Sequence, residues 1–231
     1  MSRLSIIVPT FDEEARIGVA LTALAPFRVR GAEVIVADGG SRDRTVALAA
    51  PHADRVVMAP RGRGAQMNAG AAAATGDVLL FLHADTTLPL NADALVLDGL
   101  LRSGRAWGRF DVRIEGASPL LPLVAGLMNT RSRATGIATG DQAMFVNRAT
   151  FAAAGGFPDI ALMEDVALSK RLKRIGPPLC LSARVTTSGR RWDERGVLRT
   201  ILLMWRLRLS YWLGAEPETL ARRYGYGPRD G

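Results

Sequence analysis

Four short apolar runs lie in the first 82 residues, each ending abruptly in proline, acids, glycines or arginines. Leu4 to Val8 stops at Pro9, Glu33 to Ala37 at Asp38-Gly39-Gly40-Ser41, Arg55 to Ala59 at Arg61-Gly62-Arg63-Gly64, and Asp77 to Leu82 at His83-Ala84-Asp85. Runs of this length, apolar on both faces and separated by helix-length segments, predict a parallel, doubly wound α/β sheet with helices on both faces. In such sheets ligands collect at the carboxyl ends of the strands. The polar residues at those ends are therefore expected to share one rim. Asp12 and Ser41 are expected to cap the helices that follow the first two strands.

The second half is less regular. Asn91 to Leu101 and Leu120 to Thr130 read as helices, Gln142 to Val146 as a short strand, and Glu164 to Ile175 as a helix from the spacing of Leu168, Leu172 and Ile175. The division expected is one domain over residues 1–188 and a helical extension over 189–231.

Composition removes several classes of function. The single cysteine, Cys180, precludes an intramolecular disulfide and reads as a small buried hydrophobe between two leucines. Met1 to Val8 meets Pro9 and acids without a cleavage pattern, and no stretch reaches the length of a membrane span, so a cytoplasmic location is expected. The net charge of +8 is carried almost wholly by arginine, which suits phosphate recognition. Nucleic acid is not expected as a partner, because zinc-finger spacing, RNA-binding aromatics and a basic arm are all missing. A dehydrogenase is excluded because Gly62-x-Gly64 follows the third strand and residue 67 is Met. A sugar-nucleotide pyrophosphorylase would need a glycine-rich loop where Val8-Pro9-Thr10-Phe11 stands.

Several motifs recur in order. They are Val8-Pro9-Thr10-Phe11-Asp12-Glu13-Glu14, Val36 to Thr45, Gly62-Arg63-Gly64 with Asn68, Gly70 and Gly76-Asp77, then His83-Ala84-Asp85, and Gly155-Gly156-Phe157 through Glu164-Asp165. In this order they resemble a family 2 glycosyltransferase of the GT-A fold. Within it, the chain is most similar to the small bacterial subgroup associated with radical-SAM and selenium or arsenosugar gene clusters. The resemblance implies an inverting enzyme that moves a sugar from a nucleotide diphosphate donor, a UDP-sugar first, to an unidentified acceptor. Pro9, Thr10, Glu13, Asp38 and Gly39 would bind the nucleotide, with Asp38 meeting the uracil imide N–H. Arg63, Gly64 and Asn68 would sit at the phosphates or base, beside His83, Ala84 and Asp85. Asp85 would hold manganese or magnesium, since a hard oxygen ligand suits either ion. His83 stands where the family's D-x-D motif has its first acid; metal ligation, a ribose contact and space filling all remain open for it.

On the acceptor side the resemblance implies Gly140, Asp141, Gln142 and Glu164, with Asp165 as general base. Arg191 and Trp192 belong to a segment loosely similar to Q-x-x-R-W, without its glutamine. Arg199, Arg206 and Arg208 argue against a span through residues 197–213, whose tryptophans and leucines fit a cytosolic membrane face, the domain itself or a homodimer partner. A non-catalytic nucleotide-sugar sensor or scaffold is the rival reading; loss of Asp85 or Asp165 would mark it, and both are present.

Overall fold

The computed structural model describes residues 2–226. In chain order the first half runs β1 (Leu4–Thr10), α1 (Ile17–Thr22), α2 (Ala25–Val29), β2 (Glu33–Asp38), α3 (Thr45–Ala49), β3 (Arg55–Met58), α4 (Arg63–Ala73) and β4 (Val78–Phe81). The second half adds β5 (Thr86–Thr87), α5 (Ala92–Ser103), β6 (Trp107–Glu115), α6 (Leu121–Thr135), β7 (Phe145–Asn147), α7 (Arg148–Ala153), α8 (Glu164–Ile175) and β8 (Leu179–Ser188). Beyond Ser188 come α9 (Arg190–Arg195), α10 (Val197–Trp212) and α11 (Pro217–Tyr224).

One eight-stranded sheet has the order β3-β2-β1-β4-β7-β6-β8-β5. From β3 to β4 it is parallel, as the alternation predicts; β7 runs antiparallel to both neighbours, and β6 pairs parallel with β8. Successive strand residues feed opposite faces. Ile6, Val8, Val34, Val36 and Leu80 enter a core with Leu21, Phe27, Val96 and Val124. Ile7, Ile35, Leu79 and Phe81 enter a second core with Met67, Leu168 and Leu172. The sheet is thus covered on both sides, which the unbroken apolar composition of β1, β2 and β4 requires.

Two capping assignments need correction. α1 and α3 have no side-chain N-cap. Asp12 and Ser41 instead lace the first two strand-end loops together. The Asp12 N–H donates to Ser41 Oγ (2.9 Å), and the Arg42 N–H to Asp12 Oδ1 (2.8 Å). The N–H groups of Glu13 and Glu14 bond Thr45 Oγ1 (2.7 Å) and Asp43 Oδ2 (3.1 Å). The helices begin later than the caps implied, so these side chains satisfy loop amides across the rim. Strands β6 and β8, which the sequence reading did not assign, fill the second half. Cys180 lies on β8 and is partly exposed.

Candidate functional site

The parallel strands deliver their carboxyl ends to one edge. In register, Thr10 of β1 stands beside Asp38 of β2, and Ile7 beside Phe81 of β4, which brings His83 to the same rim. Above this edge opens a cavity of about 510 Å³. Pro9, Thr10, Phe11 and Glu13 line it from β1, Arg61, Gly62, Arg63 and Gln66 from the start of α4, and His83, Ala84 and Asp85 from β4. The Arg61 guanidinium stacks on Phe11 at 4.2 Å. Gly62 precedes α4 with φ +140°, a conformation that favours glycine there.

Four residues expected at the nucleotide do not line this cavity. Asp38 is fully buried beneath it. Its carboxylate accepts from Thr10 Oγ1 (3.3 Å), Ser41 Oγ (2.5 Å), and the N–H groups of Gly40 (2.9 Å) and Ser41 (2.8 Å). Four donors occupy the acceptor positions of a carboxylate. Gly39 packs against the amide of Gln66, and a Cβ on Gly64 would meet the Pro158 carbonyl at 2.7 Å. Asn68 clamps the Phe157 backbone through two hydrogen bonds of 2.8 and 2.9 Å.

Sequence reasoning missed Gln66. Its Nε2 donates to the carbonyls of Thr10 (2.6 Å) and Ala37 (3.1 Å), fixing the ends of β1 and β2 from α4. It also missed a wall formed by Glu218, Ala221, Arg222 and Tyr226 after α10. A glutamine four residues after Gly62 of the glycine-rich turn was the one available signal for the first; the second has none, because these residues are remote in sequence.

The acid pair at the start of α8 is tied to the strand ends through the turn Thr139–Gln142. The Gly140 N–H donates to Asp165 Oδ2 at 2.8 Å, and the Val166 N–H to Asp165 Oδ1 at 2.6 Å. Gly140 also lies against the His83 imidazole, and a Cβ there would approach Cε1 to 2.4 Å. His83 Nδ1 faces Asp141 Oδ1 at 3.5 Å. Gln142 is buried, closing a capping box with Thr139 and reaching Asn129 on α6. Trp192 packs against the main core, and the Arg191 guanidinium stacks on Tyr224 at 4.2 Å.

Burial sets the electrostatics. It raises the carboxyls of both Glu164 and Asp165, and the Asp165 charge adds to the rise at Glu164. Backbone N–H donors at Gly140 and Val166 only partly offset the rise at Asp165. Burial likewise pushes Asp141 up, but His83, Arg63 and Arg191 outweigh it and hold that carboxyl low. Burial disfavours the Arg63 cation, yet Tyr226, Glu164, Tyr224 and Asp141 keep it firmly charged. Among the described residues no three His, Cys, Asp or Glu side chains gather to hold a metal ion. Asp85 presents its carboxylate to the cavity, as do Glu13 and Glu218 elsewhere in the lining. A carboxylate at the end of β4 fits a divalent ion that takes its remaining oxygen ligands from outside the protein.

Residues 5–149 match the family model described as glycosyl transferase family 2. The chain belongs to that family. Probable glycosyltransferase YdaM of Bacillus subtilis (strain 168) is 26% identical over 201 residues, covering 76% of this chain and 48% of that protein. An uncharacterized glycosyltransferase of Mycobacterium tuberculosis is 31% identical over 86 residues, covering 37% of this chain and 38% of the relative. This family 2 chain thus spans about half, or less, of the length of the curated relatives it matches. Among solved structures, S. aureus TarS in complex with UDP-GlcNAc superposes with a TM-score of 0.65 at 18% identity, over 80% of this chain and 58% of that one. Mannosyltransferase PcManGT from Pyrobaculum calidifontis, in complex with GDP-Man and Mn2+, gives 0.66 at 21% identity over 98% and 66%. These likenesses establish the GT-A fold of this family 2 chain.

Proposed function

We propose that the chain is an inverting glycosyltransferase that takes a sugar from a nucleotide diphosphate donor, a UDP-sugar first, and passes it to an acceptor whose identity is open. The observation that carries this reading is the meeting, on one rim, of the cavity lined by Thr10, Glu13, Arg63 and Asp85 with the acid pair of buried Glu164 and half-buried Asp165. The UDP-GlcNAc and GDP-Man complexes of the structural neighbours support a nucleotide-sugar ligand. The placement in the radical-SAM and selenium or arsenosugar subgroup belongs to the same reading, on the motif order alone.

In this mechanism Asp165 accepts the proton of the acceptor nucleophile as that nucleophile bonds to the anomeric carbon. The bond from that carbon to the phosphate oxygen breaks on the opposite face, and its electron pair leaves with the diphosphate. One base and one displacement invert the anomeric centre. The raised carboxyl of Asp165 makes it a stronger base than an exposed aspartate. Arg63 and Arg191 supply fixed positive charge for the leaving diphosphate. Asp85 would hold a divalent ion, which supplies further charge neutralisation when bound. Asp38 enters as the residue that shapes the turn beneath the base, since its carboxylate already meets four donors.

The reading divides the chain into a transferase domain over residues 1–188 and a helical extension from Gly189. The extension packs on the domain through Leu207, Leu220 and Ala221 against Leu162, Met163 and Val166. Among the described residues no helix is long and apolar enough to cross a membrane. Its outer stripe, Leu198, Leu202, Trp205, Leu209 and Trp212, is exposed beside the exposed Arg199 and Arg206. That supports a peripheral position on a cytosolic membrane face over a homodimer contact, because arginines beside tryptophans suit anionic headgroups.

The test is a thermal-shift panel of UDP, GDP, CDP and TDP with and without manganese. A ligand that binds only the folded state raises its melting temperature. Stabilisation by one diphosphate that depends on manganese is expected. No shift with any of the four would defeat the donor assignment.

A further inference from the structure

The chain turns back over the cavity after α11, bringing Tyr226 into its lining. Gly225 adopts φ +95°, and Tyr224 and Tyr226 meet edge to face with ring centres 4.9 Å apart. The turn is anchored from outside: Arg195 Nη1 donates to the Tyr224 carbonyl at 3.0 Å. Its inner side faces cations. The Arg191 guanidinium lies 4.2 Å from the Tyr224 ring centre, and that of Arg63 lies 5.5 Å from the Tyr226 ring centre. Arg191 Nη1 and the Tyr226 hydroxyl are both buried without a hydrogen-bond partner among the described residues.

A tail folded onto a cavity either plugs it or walls it. Here the cavity keeps about 510 Å³ with Tyr226, Arg222 and Glu218 in place, within the ~300–1,000 Å³ usual for small-molecule sites. The turn therefore bounds the site and leaves room for a ligand. Its position along the cavity is marked by Arg63, whose guanidinium lies 5.5 Å from the Tyr226 ring centre and whose neighbour Gly64 packs against Glu164, where an added Cβ would lie 3.7 Å from the Glu164 Cβ. The stack of Arg61 on Phe11 marks the part of the lining that follows β1. Tyr226 thus shares the Arg63–Gly64 segment with Glu164 of the acid pair. In a displacement assisted by Asp165, the sugar must lie between the diphosphate and that pair.

We infer that Tyr226 is a donor-specificity residue, its ring bounding the transferred sugar and its unpartnered hydroxyl bonding a hydroxyl of that sugar. This rests on the nucleotide-sugar reading above. A tyrosine has the properties required: an apolar ring with a polar handle that both donates and accepts. A phenol withdrawn from water without a partner is costly, and a bound hydroxyl would remove that cost. A site built to bond a substrate hydroxyl also rejects analogues that lack it far better than an apolar wall does. Tyr224, stacked on Arg191, then acts as a positioning residue, holding the turn at its height over the cavity.

The experiment is calorimetric titration of the full chain, in manganese, with UDP, GDP and their glucose, galactose, N-acetylglucosamine and mannose conjugates. Wild type is compared with Tyr226→Phe, which lacks one oxygen, and with Tyr226→Ala. The expected result is unchanged affinity for the bare diphosphate. The preferred nucleotide sugar should bind about 10-fold more weakly to Tyr226→Phe, with a flattened ranking among sugars. Equal affinity of wild type and Tyr226→Phe for every sugar conjugate would overturn the inference and leave the donor reading standing. Failure of wild type to bind any nucleotide would overturn the donor reading itself. If Tyr226→Ala melts early, the isosteric Phe variant decides alone.

Discussion

The N–H of Gly140 is bonded to Asp165 Oδ2 at 2.8 Å, while the same glycine leaves room for the His83 ring. One turn therefore sets both the proposed base and the side chain at the end of β4. Asp165→Asn keeps an oxygen for the Gly140 N–H but cannot take a proton. It is expected to fold normally and to lower nucleotide-sugar turnover, including slow transfer to water, by roughly 100-fold or more. Equal hydrolysis rates for the two proteins would remove Asp165 from the mechanism.

Glu164 gives a pH prediction. Its carboxyl is raised above the ordinary 4.5 by burial first and by the Asp165 charge second. As pH climbs past 4.5, the unfolded chain releases this proton while the folded chain retains it. Stability from this group is thus complete below 4.5 and is lost as pH rises through the folded value. Glu164→Gln removes the loss, so its melting temperature should gain on wild type from pH 4.5 upward and level off above the folded value, about 7. A difference independent of pH would show that Glu164 carries no such penalty.

The contrast between what the chain announces and what it conceals follows from range. β1, β2 and β4 are legible because Ile6, Val34 and Leu79 sit in unbroken apolar runs, and buried parallel strands need nothing else. Their ends are legible as a rim for the same reason. β6 is masked by Arg109 and Asp111, which face inward and pair with each other, with Arg109 also bonding Ser132. The partner that takes Asp12 away from helix capping lies across the rim at Arg42, whereas three of the four donors on Asp38 are local, from Gly40 and Ser41. Tyr226 is the extreme case, meeting Arg63 across most of the chain.

Asp85 lies exposed at the cavity, and its carboxylate accepts only from Thr86 Oγ1, at 3.3 Å, among the described residues. Asp85→Ala should therefore leave the melting temperature of the unliganded protein within a degree or so, as surface changes usually do. Its manganese-dependent affinity for a nucleotide diphosphate should fall at least about 10-fold, because the ion would lose the Asp85 carboxylate. Calorimetry in manganese that finds the same affinity in both proteins would place the ion elsewhere.

The exposed stripe on α10 can be tested without disturbing the fold. Trp205 and Leu202 are 67% and 60% exposed, whereas Leu207 and Thr200 on the same helix are buried. Removing residues 197–231 should abolish liposome association, but it would also uncover Leu162, Met163 and Val166, which flank the acid pair. The double variant Leu202→Glu, Trp205→Glu changes only the outer face. It places two negative charges where anionic headgroups would lie, so both the apolar and the electrostatic parts of the attraction are lost. Flotation with vesicles rich in anionic lipid should recover wild type and leave the variant behind, at equal melting temperature. Undiminished flotation of the variant would move the contact away from this helix. Failure of wild type to float would leave a second copy of the chain as the remaining cover for the stripe, readable as a dimer by sedimentation.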